Sequence, residues 1–136
     1  MKVNFSSVSF GNRSIRFHDN TYNIMETYDD TNHLIRRIKY DKQCRDVDSQ
    51  EFNKEKKVIS HLHKEYTADG CVETYKSKSQ EYVRVIKTIA KDSFTHHIEI
   101  FTSKTSPESN YINEFVRDMK GKLVKVINNG KVLIIK

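Results

Sequence analysis

The sequence predicts an all-β protein, an antiparallel up-and-down meander of about ten to twelve short strands, open or rolled into a barrel. Three observations carry this reading. From residue 29 onward, turn-forming clusters recur with centres 9 to 15 residues apart, the length of one short strand and its reversal. The segments between them are rich in Val, Ile, Thr, Tyr and Phe, side chains that suit a pleated surface. Near the end, Asn129-Gly130 separates two apolar runs, and that dipeptide accepts positive φ at both central positions of a type I′ hairpin turn.

Taken in order, the turns DDTN, DKQ, NKE, ADG, SKSQ, KDS, TSKTSPESN, DMKG and NNG leave strands at 3 to 10, 14 to 18, 21 to 28, 33 to 40, 45 to 52, 56 to 66, 71 to 77, 81 to 89, 95 to 101, 111 to 117, 122 to 128 and 131 to 135. The last hairpin is the best specified. A two-residue turn sets Asn128 opposite Lys131, Ile127 opposite Val132 and Val126 opposite Leu133. Both faces of that ribbon are then largely apolar, so something is expected to cover each side.

A rival α+β reading places helices near 49 to 66 and 107 to 120 against an antiparallel sheet. Ser106, Pro107, Glu108 and Gly121 are helix punctuation, and Tyr111, Ile112, Phe115, Val116 and Met119 fall within one helical arc. Asp48 with Glu51 resembles a capping box. Against this, EYVRVIKTI at 81 to 89 is rich in β-branched residues, which favour strand.

A chain of 136 residues suits a single domain, 1 to 136. With 24 Lys and Arg against 18 Asp and Glu, the net charge of +6 allows an acidic partner without requiring one. The N-terminus has no continuous apolar stretch or cleavage site, and no run is long enough for a transmembrane helix. A cytoplasmic location without membrane association is expected. Cys44 and Cys71 lie outside any CxxC spacing and read as reduced, structural thiols.

Three segments can be overlaid: IMETYDDTNHLIRRI from Ile24, LHKEYTADGCVETYK from Leu62 and INEFVRDMKGKLVKV from Ile112. Each has a Glu, then an aromatic residue before an Asp-containing turn. They resemble the tandem Tyr-Asp repeats of RHS-type proteins and the related MORN-like hairpin repeats. The resemblance implies an antiparallel sheet used as a scaffold or interaction surface, and no catalytic residue.

Four of the six histidines form two pairs, His61-x-His63 and His96-His97. On a strand His61 and His63 point to the same side, as two metal ligands would, whereas His96 and His97 point to opposite sides. In a flat meander the two pairs are three strand spacings, or about 14 Å, apart. That leaves His61 and His63 as incomplete metal candidates, and no metal or other cofactor is expected. A Cys71–His63 nucleophile pair fails on register. No phosphate-binding glycine loop or nucleophile elbow occurs, so the reading leans away from an enzyme.

Cations and aromatic rings interleave in LIRRIKYDK and TYKSKSQEYVRVIK. Arg36, Arg37, Lys39, Tyr75, Tyr82 and Arg84 are the candidate binding residues, since single strands stack on rings and are steered by cations. The leading expectation is a non-enzymatic binding module for another macromolecule, a protein first, through a sheet face or an edge that could also pair two copies. A nucleic-acid binder and a carrier of a small apolar ligand in a closed barrel are the alternatives.

Overall fold

A computed structural model of the chain describes residues 4–8 and 11–135, with side chains from residue 11 onward. The twelve strands are β1 (Asn4–Val8), β2 (Arg13–His18), β3 (Asn23–Tyr28), β4 (Leu34–Tyr40), β5 (Asp46–Phe52), β6 (Val58–Tyr66), β7 (Gly70–Ser77), β8 (Glu81–Lys91), β9 (Phe94–Ser103), β10 (Tyr111–Arg117), β11 (Leu123–Asn128) and β12 (Lys131–Ile134). Strand order follows chain order from β1 to β12. The fold is an antiparallel meander, and among the described residues no pairing joins β12 back to β1.

Neither helix of the rival reading forms. Residues 49 to 66 become β5, a turn and β6, and 107 to 120 yield one 3-10 turn, Pro107–Ser109, before β10. The helix start fails at its cap: the Ser106 side chain makes no capping bond, and the Ser106 N–H is instead taken by Ser103 Oγ at 2.9 Å. Beyond it, Tyr111 to Arg117 is paired residue by residue with β9 and from Asn113 onward with β11. Two-sided pairing of a strand rich in aromatic and β-branched residues outweighs the helical periodicity.

One turn design recurs. Asp29, Asp41, Asn53 and Asp118 each start a three-residue loop in which the first residue's carbonyl accepts from the fourth and its N–H donates to the fifth residue's carbonyl. The fourth residue, Asn32, Cys44, Lys56 or Gly121, has positive φ, and the register shifts by one residue beside each turn. That is a type I turn closed by a G1-type bulge. In all four the first side chain also accepts from the backbone N–H two and four residues on. Asp29, Asp41 and Asn53 stand 12 residues apart, each preceded by a ring, Tyr28, Tyr40 or Phe52. The periodicity of the sheet is therefore written in its turns.

Charge matters in these turns. The His33 amide, followed by Thr31, holds the Asp29 carboxyl below its usual value. At Asp41 desolvation pushes upward, but hydrogen bonds from Arg45 and Gln43 outweigh it and the net direction is again downward. A carboxyl depressed in the folded state adds stability above its unfolded value of 3.8, and loses it as pH falls through the lower folded value. Asn53 has no such proton. In an NMR titration from pH 5 to 2, the Thr31, His33, Gln43 and Arg45 amides should shift with midpoints below 3.8, while the Lys57 amide, held by Asn53, shows no such step. Equal shifts in all three turns would refute the assignment.

The Asn129-Gly130 turn forms as its sequence requires, with φ of 48° and 84°, and sets Ile127 opposite Val132 and Val126 opposite Leu133. Its side chain adds a tie: Asn129 Oδ1 accepts from the Ile112 N–H at 2.8 Å.

The chain divides into two compact units, Met1–Lys64 with Tyr75–Lys78, and Glu65–Thr74 with Ser79–Lys136; the boundaries fall inside β6, inside β7 and in the turn before β8. Burial is shallow in each. Among the described residues no large side chain is fully enclosed; the best-covered apolar ones are Ile24 in the first unit and Val116 in the second.

Candidate functional site

In the first unit, the Asn53 turn and its bulge place Asp48 opposite His63 and Gln50 opposite His61. Alternation then puts Asp48, His61 and His63 on one side of β5 and β6. The Asp48 carboxylate bridges the two rings: Oδ1 lies 2.8 Å from His61 Nε2 and Oδ2 lies 3.2 Å from His63 Nδ1. The rings meet edge to face with centroids 6.4 Å apart. Asp48 was the member that the histidine spacing alone did not reveal. Its signal was the turn, since counting back from Asn53 with one bulge residue pairs 48 with 63.

His96 and His97 belong to the second unit and engage other partners. His96 Nδ1 lies 2.7 Å from Glu114 Oε1, and His97 Nδ1 lies 3.2 Å from Thr88 Oγ1.

The six candidate nucleic-acid contacts fall four and two between the units: Arg36, Arg37, Lys39 and Tyr75 in the first, Tyr82 and Arg84 in the second. Several are already engaged. Arg37 Nε and Nη2 bind Glu26 Oε2 at 2.8 and 2.7 Å, and the Lys39 ammonium sits 5.6 Å from the centre of the Tyr22 ring. Arg36 is exposed, opposite Glu51 in register. Arg84 grips Glu73 through Nε at 2.9 Å and Nη2 at 3.0 Å, and reaches Glu99 at 3.3 Å. Tyr111 donates to the same Glu99 oxygen at 2.7 Å, and its ring stacks on Phe101, which also meets Tyr82. The Glu73 hydrogen bond, opposed by desolvation and reinforced by the charges of Glu73 and Glu99, raises the Arg84 pKa still further. Glu99 raises that of Tyr111 by accepting its proton in a hydrogen bond. This is a cross-strand charge network whose attractions are largely spent internally.

The second unit also presents bare apolar surface. Val132, Leu133 and Ile134 on β12 are 55, 63 and 68% exposed, and Ile112 is 55% exposed. The cover expected for both sides of the last hairpin is thus missing among the described residues. A shallow concavity of about 460 Å³ in the first unit is lined by Arg16, Phe17, Met25 and Tyr40 among others.

No protein-family model, curated protein or solved structure matches the chain. The histidine cluster offers two imidazole nitrogens and a carboxylate oxygen, the Arg84 network offers rigidity, and β12 offers an apolar edge. Cys44 is exposed and Cys71 half-buried, and the two lie in different units.

Proposed function

We propose that the protein is a non-enzymatic interaction module whose binding element is the β12 edge, and that the occupant this edge fits is the β12 of a second copy. The exposure of Val132, Leu133 and Ile134 carries the reading. β12 pairs with β11 on one side, and among the described residues no strand pairs with the other. Soluble proteins usually protect such an edge with charge, proline or a bulge; here three consecutive apolar residues occupy it.

The edge is also self-complementary. Antiparallel pairing of two copies about Leu133 sets Val132 against Ile134 and Lys131 against Ile135, with no like charges directly opposed. The contact is isologous and closes after two chains. The nucleic-acid reading draws less support, because Arg37 and Arg84 already hold carboxylates.

Size-exclusion chromatography with light scattering tests this. Concentrating the protein should move its mass from 16.0 kDa to twice that value. Leu133→Lys places two ammonium groups opposite each other at the centre and should weaken the dimer by about tenfold or more. Val58→Lys, on an exposed apolar residue of the first unit, should leave it unchanged. A strict monomer, or a dimer indifferent to Leu133→Lys, overturns the proposal.

A further inference from the structure

We propose that Asp48, His61 and His63 form a binding site for a first-row transition-metal dication of the zinc type. The donor set suits such an ion: two imidazole nitrogens and one carboxylate favour Zn²⁺, Cu²⁺, Ni²⁺ or Fe²⁺ over Ca²⁺ and Mg²⁺, which take oxygen shells. The geometry suits it too. The three ligand atoms lie within 4.8 Å of one another, and around a tetrahedral ion with bonds of about 2.0–2.1 Å the donors sit roughly 3.3 Å apart. Small side-chain rotations close that difference without moving a strand, because β5 and β6 are already held in register by their ladder.

Binding replaces the hydrogen bonds now seen. His61 would ligate through Nε2 and His63 through Nδ1, so each ring carries its proton on the other nitrogen and Asp48 turns from acceptor to ligand. The side chains of His61 and His63 are 41 and 44% exposed, so positions beyond the three protein donors open to solvent. That is the pattern of an exchangeable site rather than a closed structural one. Lys39 pairs with Asp48 in register, but its ammonium lies over the Tyr22 ring. Gln50, opposite His61 on the same side, is the natural place for a fourth donor.

The test is titration of the chelator-stripped full chain with ZnSO₄ by calorimetry, and with CoCl₂ by visible absorption. One equivalent should bind per chain, with Co²⁺ ligand-field bands showing nitrogen and oxygen donors. Asp48→Asn, His61→Ala and His63→Ala should each weaken Zn²⁺ by at least about tenfold. Gln50→His, which removes no donor, should tighten it and strengthen the Co²⁺ bands. His96→Ala, at the His96–Glu114 pair of the other unit, should change neither. Absence of a stoichiometric equivalent, or one that survives all three donor substitutions while circular dichroism shows intact strands, overturns the site.

Discussion

Gly70→Ala is expected to destabilise the protein by about 2 kcal/mol or more, a large loss for one added methyl group. Gly70 begins β7, where its carbonyl accepts from the Thr67 N–H at 2.9 Å and the neighbouring Asp69 carbonyl accepts from the Thr88 N–H at 2.8 Å. The chain is thereby pinned against β8. A Cβ built on Gly70 runs into the carbonyl oxygen of Ile86 and lies 2.8 Å from its carbonyl carbon and 3.0 Å from Lys87 Cα. These are backbone atoms, fixed by the β8–β9 ladder, and cannot swing away as a side-chain tip could. Relief would require β7 to lift from β8, with loss of the bonds that pin it.

The other turn glycines make the comparison. At Gly121 and Gly130 a Cβ meets nothing within 4 Å, and only φ of 82° and 84° argues for glycine. Alanine there should cost about 1 kcal/mol. Thermal unfolding by circular dichroism should therefore rank Gly70→Ala well below Gly121→Ala and Gly130→Ala. For a chain of this size each kcal/mol is worth roughly 4 °C in Tm. Equal losses at the three sites would mean that the contact with Ile86 is not a constraint.

Gly70 also shows what a sequence can and cannot tell. ADG reads correctly as a reversal, but the reason for its glycine lies on β8, and no local pattern points there. The strands themselves were legible because their punctuation is local: an Asp or Asn side chain that closes its own turn carries its signal in five residues. Where the turn was misjudged, the strand ends moved. KDS reads as a three-residue reversal, yet Asp92 and Ser93 alone make it, both at positive φ, so β8 and β9 run on to Lys91 and back from Phe94.

The helical reading failed for a related reason. Residues at helical spacing in 107 to 120 are equally consistent with a strand buried by neighbours, and the choice belongs to β9 and β11. Of the candidate sites, His61 and His63 were visible from alternation, while Asp48 required the register across the Asn53 bulge. The carboxylate partners of Arg37 and Arg84 were hidden for the same cause, and without them these residues look like unspent positive charge. Division into two units has no counterpart in composition, since no linker-like segment marks it.

Arg84→Met is the second large effect, and it separates a structural role from a binding one. The Glu73 carboxylate is among the best-buried polar groups, with the residue 5% exposed, and Arg84 meets it with two hydrogen bonds while also reaching Glu99. Methionine keeps much of the apolar stem of arginine and removes the cation. Two carboxylates then share the site without the charge between them, and a buried anion that loses its cation is costly. Breaking a fully buried pair costs about 3–5 kcal/mol, but Arg84 is 36% exposed, and solvent screening reduces the expected loss to about 2 kcal/mol. Adding Glu73→Gln to Arg84→Met should restore part of it, because one of the two carboxylates that shared Arg84 is then neutral. A residue held for phosphate contacts would behave differently: Arg84→Met would leave the Tm unchanged, and Glu73→Gln would have nothing to repair. Chemical denaturation of the two single variants and the double variant decides between them, with a coupling energy near zero counting against the network.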